Sequence, residues 1–130
     1  MRYQKSNTSV FNIGYHLIWC PKYRRKVLVN EIEKRLKNLL KNKAKQISVS
    51  IEKKKVMPDH VHIFVKATPL LSPHKIVQQF KGYTSRILRQ EFKILKSKIP
   101  TLWTRSYYCE SVGHISEATI QRYIEDQKNR

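Results

Sequence analysis

Residues 60–65 read His-Val-His-Ile-Phe-Val, and that alternation constrains the fold more than any other part of the chain. In an extended strand successive side chains point to opposite faces. Val61, Ile63 and Val65 therefore share one face and can pack under helices, while His60 and His62 share the other. The preceding Met57-Pro58-Asp59 supplies turn chemistry. Before it, residues 47–57 alternate Ile47, Val49 and Ile51 against Ser48, Ser50 and Glu52, so the two runs read as a β-hairpin. Within it Lys53-Lys54-Lys55 reads as a solvated segment.

Other segments supply the partners such a hairpin needs. Residues 12–20 alternate Tyr15, Leu17 and Trp19 with His16, Ile18 and Cys20, apolar on both faces, which predicts a central strand ended by Pro21. Lys22-Tyr23-Arg24-Arg25-Lys26 follows as a basic, aromatic-bearing turn. Residues 30–46 place Ile32, Leu36, Leu39 and Leu40 on one helical stripe opposite Lys34, Lys37, Lys41 and Lys45, with Asn30 as the expected N-cap. Ser72-Pro73 opens a second helix with Ile76, Val77, Phe80, Tyr83, Ile87 and Leu88 inward. Residues 92–105 read as a connection, since Pro100 and Trp103 fit no regular period. Residues 107–112 form a short strand, Gly113 breaks it, and Ser116-Glu117-Ala118-Thr119 starts a terminal helix with Ile120, Tyr123, Ile124 and Gln127 on one stripe. The order β-α-β-β-α-β predicts an α+β, ferredoxin-like antiparallel sheet with its helices on one face, followed by that helix.

At 130 residues the chain has room for one compact core, and residues 1–130 are expected to form a single domain. No apolar run approaches the ~18 residues needed to span a bilayer, and residues 1–10 carry no signal-peptide core. A soluble, cytoplasmic protein with no membrane partner is expected. The 27 Lys and Arg outweigh 9 Asp and Glu, a formal charge of +18 that exceeds what solubility requires and points to nucleic acid. The charge is spread along the chain rather than gathered on one amphipathic helix, which argues against a membrane-surface role. Cys20 and Cys109, 89 positions apart, allow neither a CxxC redox motif nor a four-cysteine zinc cage and read as reduced structural thiols.

The chemistry-bearing candidates sit on the strand and on the terminal helix. Histidines two apart in a strand, about 6.6 Å between Cα atoms, can both reach one ion, though a His-x-His pair alone is equally compatible with structural histidines. Tyr123 and Gln127, four apart in a helix, are offset by only ~40° around its axis and ~6 Å along it. If that helix crosses the histidine face, Gln127 could offer a third ligand oxygen and Tyr123 a nucleophile to a phosphate on the same ion. The place of Tyr123 between Ile120 and Ile124 equally permits a core role. A tyrosine suits a phosphodiester that must be rejoined, because the phosphotyrosine retains most of the bond's free energy.

Four motifs in order then carry a resemblance: Tyr15-His16-Leu17-Ile18-Trp19-Cys20-Pro21-Lys22-Tyr23-Arg24-Arg25-Lys26, Met57-Pro58-Asp59-His60-Val61-His62, Phe80-Lys81-Gly82-Tyr83 and Tyr123-Ile124-Glu125-Asp126-Gln127. Over nearly its whole length the chain resembles the single-tyrosine HUH transposases of bacterial and archaeal insertion sequences, the TnpA family. The resemblance implies a ferredoxin-like core, Mg²⁺ or Mn²⁺, and excision and insertion of single-stranded DNA through a 5′-phosphotyrosine, with recognition of DNA hairpins near the element's ends. It matches His60 and His62 to the histidine ligands, Gln127 to the third ligand and Tyr123 to the nucleophile. It also implies a homodimer with merged sheets, in which the tyrosine helix can serve the partner's histidines. Ligand chemistry alone would not have chosen Mg²⁺ or Mn²⁺, because Zn²⁺ also suits imidazole.

His16 lies on the strand face of Ile18 and Cys20, where it could approach the site or serve as a satisfied core histidine. His74 and His114 are expected at the surface near helix starts. Tyr23, Arg24, Arg25, Lys81, Arg86 and Trp103 are the candidates for DNA contacts, through base stacking or phosphates. Two rival functions fit the same residues: an HUH nicking endonuclease of the replication or relaxase type, and a basic nucleic-acid-binding ferredoxin-like module without catalysis.

Overall fold

The structure is a computed structural model that describes residues 4–5 and 10–112. A two-stranded ribbon, β1 (Gln4–Lys5) and β2 (Val10–Phe11), precedes the main sheet. The sheet is built from β3 (Ile13–Trp19), β4 (Ser50–Met57), β5 (His60–Ala67) and β6 (Tyr108–Val112). Its helices are α1 (Asn30–Gln46), α2 (Pro73–Glu91) and α3 (Lys93–Lys98). The strand order is β4-β5-β3-β6 and every neighbouring pair is antiparallel. This is the expected ferredoxin-like α+β arrangement, with β3 central as its two-sided apolar character requires.

Alternation decides which residues hold the layers together. Leu17 and Trp19 of β3 and Val61, Ile63 and Val65 of β5 are at most 1% exposed. They form one core with Leu36, Leu39 and Leu40 of α1 and Ile76, Val77, Phe80 and Leu88 of α2. Removing each such side chain from water is worth roughly 1.5–3 kcal/mol. Of the residues expected inward on α2, Tyr83 and Ile87 are half-buried at its margin, and Thr84 takes a core position. Arg35 of α1 makes a bidentate pair with Glu91 of α2, at 2.8 and 2.9 Å, on the outside of the helix layer.

The local signals hold at the start of α2, where the Ser72 hydroxyl accepts from the Lys75 amide and Pro73 occupies the first turn. They fail at α1. Asn30 lies inside the first turn at φ 53°, a left-handed value that Asn tolerates, and caps nothing. The Val29 carbonyl instead accepts from the amides of Ile32 and Glu33. The second strand begins at Ser50 rather than residue 47, and its register shifts between Ile51 and Lys53. Lys54 is correspondingly not a plain solvated residue: it faces the helix layer, and its Nζ donates to the Lys37 carbonyl. Burial, with Lys37 and Lys41 near, holds its ammonium pKa below the usual range.

Residues 92–105 do more than connect. They contain α3, bury Leu95, Ile99 and Leu102, and bring Trp103 into a bridge with Pro21. Arg89 anchors this segment by donating to the carbonyls of Leu95 and Ile99. Cys20 and Cys109 are free thiols. Among the described residues no helix is long and apolar enough to cross a membrane.

Candidate active site on the open sheet face

The face of the sheet away from the helices presents His60, His62 and Phe64 from β5 and His16 from β3, as the alternation of both strands requires. His60 opens β5 directly after the Pro58-Asp59 turn. Its Nδ1 lies 2.9 Å from Asp59 Oδ1, and Asp59 Oδ2 accepts from Arg24 at 3.0 Å. The hydrogen bond with His60 and the Arg24 charge hold the Asp59 carboxyl below its usual range. With Nδ1 engaged, Nε2 is the remaining ring nitrogen of His60.

His62 is held differently. Its Nε2 lies 3.2 Å from His16 Nδ1, and the two rings stand 5.3 Å apart at 58°. Partial burial, reinforced by His16, His60 and Lys55, holds its pKa below the ordinary histidine value, which favours the neutral imidazole that ligates metals. His16 also packs on Phe64, with centroids 4.9 Å apart. Beside them runs an open groove of about 540 Å³ lined by His16, Lys53, Lys54, Lys55, His62 and Phe64. Lys55 pairs across the strands with His62 and Lys53 with Phe64, which puts ammonium groups along the histidine row.

Two imidazoles on one face, each with one nitrogen anchored, fit a divalent ion of intermediate softness. The described residues contain no group of three or more His, Cys, Asp or Glu able to hold an ion. Gln127 and Tyr123 lie outside the described residues, as do His114 and the terminal helix.

The expected DNA contacts divide into two groups. Tyr23, 68% exposed, and Arg24 and Arg25 belong to a tight turn in which Tyr23 and Arg24 have φ of 59° and 50°. The Arg24–Asp59 pair draws that turn beside His60. Arg86 is exposed, but on α2, in the helix layer across the sheet from the histidines. The other two are held by contacts within the fold. Trp103 is 6% exposed, stands edge-on to Trp19 at 6.0 Å, and donates from Nε1 to the Thr84 hydroxyl at 3.0 Å, so its ring is core and offers no face to a base. Lys81 is half-buried, its Nζ donating to the carbonyls of Thr104 and Ser106, which pins the loop before β6 and leaves it poorly placed for a phosphate. His74 is exposed at the start of α2, as expected, and its Nδ1 lies 3.0 Å from the Tyr107 hydroxyl. Sequence reasoning passed over Asp59, Lys55 and Phe64 as site residues and left His16 undecided. Phe64 and Lys55 could have been found by continuing the period-two count from His60 and across the hairpin, whereas Asp59 falls outside that count.

The family model for IS200-like transposases matches residues 9–127. The chain belongs to that family. It is 38% identical over 129 residues to the ISDra2 transposase TnpA of Deinococcus radiodurans, covering 98% of this chain and 92% of that protein. It is 31% identical to the transposase for insertion sequence element IS200 of Salmonella typhimurium, covering 90% of this chain and 78% of the relative. Among solved structures, a crystal structure of a putative transposase from Deinococcus radiodurans superposes with a TM-score of 0.80 at 37% identity, covering 95% of this chain and 97% of the other. A REP-associated tyrosine transposase bound to a REP hairpin shares the fold at 11% identity, with a TM-score of 0.59, covering 97% of this chain and 74% of the other. This family member therefore carries His60 and His62 on an open, lysine-bordered sheet face.

Proposed function

We propose that the chain cleaves and rejoins single-stranded DNA at insertion-sequence ends through a 5′-phosphotyrosine on Tyr123, with His60, His62 and Gln127 holding Mg²⁺ or Mn²⁺. The reading is carried by one observation: in a chain of the IS200-like family, His60 and His62 share the open sheet face, each with one nitrogen engaged by a neighbouring side chain. A divalent ion held there supplies Lewis-acid polarisation of a non-bridging phosphate oxygen.

The remaining work belongs to this chain's own groups. The Tyr123 oxygen forms a bond to phosphorus as the bond to the 3′-oxygen breaks; the phenolic proton goes to solvent, and the departing oxygen takes up a proton as a free 3′-hydroxyl. Return of a 3′-hydroxyl to the same phosphorus reverses the step and rejoins a strand. Lys53 and Lys55 along the groove, with Arg25 on the basic turn, attract and align the phosphodiester backbone. Hairpin-bearing DNA is the favoured form, supported by the family resemblance and by the hairpin held by the fold neighbour. A homodimer with merged sheets, able to lend Tyr123 to its partner's histidines, completes the proposal.

The test is a covalent adduct. The full chain is incubated with hairpin-bearing single strands from insertion-sequence ends and Mn²⁺, then resolved on a denaturing gel. The expected result is an adduct with wild type, none with Tyr123→Phe, and none with His60→Ala although hairpin binding is largely retained. An adduct that survives Tyr123→Phe, or hairpin binding abolished by His60→Ala, overturns the assignment.

A further inference from the structure

The antiparallel register sets Ile18 opposite His62 and His16 opposite Phe64, so on the open face His16 lies directly across from Phe64 and diagonal to His62. Its ring is confined from two sides. On one, Phe64 packs against it at 4.9 Å and 40°. Phe64 is itself seated by Gly14, where an added Cβ would come within 3.0 Å of the ring atoms Cε2 and Cζ. On the other side, His16 Nδ1 meets His62 Nε2 at 3.2 Å. A half-buried imidazole fixed by packing, with a nitrogen aimed at a candidate ligand, is more than a filler of the strand.

His60 provides the parallel. Asp59 engages its Nδ1 and leaves Nε2 for an ion, the usual way an outer partner fixes the tautomer and orientation of a ligating histidine. Among the described residues no carboxylate takes that role for His62; the atom at its Nε2 is the nitrogen of His16. We propose that His16 is the positioning residue of His62, accepting the Nε2–H of His62 at its own Nδ1 so that the lone pair on His62 Nδ1 is presented to the divalent ion. The opposite polarity, His16 donating to His62, would leave the proton on His62 Nδ1 and no lone pair free. His16 itself then carries its proton on Nε2. The row Gly14, Phe64, His16, His62 is thus a packed chain whose end is a ligand.

The proposal rests on the reading of His60 and His62 as ligands, and the experiment separates the two. Mn²⁺ is titrated into the full-length protein without DNA, at one fixed pH, and bound ion is read by electron paramagnetic resonance for wild type, His60→Ala, His16→Phe and His16→Gln. Melting temperatures are measured alongside. His16→Phe keeps a ring against Phe64 and removes the acceptor; His16→Gln restores an acceptor oxygen. The expected result is affinity lowered by about tenfold or more in His16→Phe, largely recovered in His16→Gln, with both variants folded. Equal affinity in wild type and His16→Phe, with His60→Ala weakened, overturns the proposal alone. So does equal weakening in His16→Phe and His16→Gln, which would assign the effect to packing. Unchanged affinity in His60→Ala overturns the metal reading and the proposal with it.

Discussion

The two faces of the sheet use the same strands for opposite purposes. Within β5, Val61, Ile63 and Val65 are sealed beneath α1 and α2, while His60, His62 and Phe64, each one residue away, stand on the open face beside Lys53 and Lys55. The helix-covered face is held by non-directional burial, which tolerates rearrangement of shape but not loss of volume. The open face is held by directional contacts: Asp59 on His60, His16 on His62, Phe64 over Gly14. A period of two therefore lets stability and chemistry be encoded almost independently in eight residues.

The largest test of that separation is a pair of adjacent substitutions. Ile63→Ala should cost about 2–5 kcal/mol, because Ile63 is fully buried and the cavity cannot be filled from solvent. His62→Ala, one residue earlier, should leave the denaturant midpoint close to wild type while Mn²⁺ binding falls. Comparable destabilisation by both would break the division of labour. A smaller effect tests the polar exception on the covered side. Thr84 accepts from Trp103 Nε1 and donates to the Phe80 carbonyl at 2.7 Å. Thr84→Val keeps the shape but strands the indole N–H, at a cost of about 1–3 kcal/mol. A thermal melt unchanged by this substitution would mean that the Trp103 edge finds another partner and that the layer is less closed than its burial suggests.

How much of this was legible depended on how local each signal is. The alternation of residues 60–65 needs no partner to be read, so β5, its two faces and the histidine pair follow from sequence. The order of elements likewise gives the ferredoxin-like topology. His16 could not be settled in that way, because its meeting with His62 depends on the register of β3 against β5 across 46 residues. For Trp103 the aromatic ring is visible in sequence, but its contacts with Trp19 and Thr84 are tertiary. For Lys81 the charge is visible in sequence and the use as a loop anchor is not. Asn30 failed as a cap because the chain enters α1 from the extended Val29, whose carbonyl takes the first bonds.

Adjacent lysines sharpen the comparison at lower amplitude. Lys55 faces the groove opposite His62, whereas Lys54 turns to the helix layer and the Lys37 carbonyl. If single-stranded DNA crosses the open face, Lys55→Ala should reduce the magnitude of the salt dependence of binding, log K against log salt, by about 0.7 and leave the melting temperature alone. Lys54→Ala should do the reverse, leaving the slope unchanged and confining any effect to the melting temperature. Equal slopes in the two variants would remove Lys55 from the DNA path.

The smallest expected effect comes from comparing two ion-paired carboxylates, one on each side of the molecule. Glu91 is paired with Arg35 across the helix layer, and Asp59 with Arg24 and His60 beside the open face. The Arg35 hydrogen bond holds the Glu91 pKa below its usual value. Its contribution to stability is therefore present above the unfolded carboxyl pKa, about 4.3, and is lost as pH falls through the lower folded value. Glu91→Gln should melt slightly below wild type at neutral pH, and the gap should close below about pH 4. Mn²⁺ affinity at neutral pH should not change. Asp59→Asn should produce the opposite pattern, a measurable loss of Mn²⁺ affinity through His60 whatever its effect on melting. If Glu91→Gln altered Mn²⁺ binding, or Asp59→Asn left it intact, the two carboxylates would be interchangeable surface charges, and the open face would lose its claim to a distinct, directional chemistry.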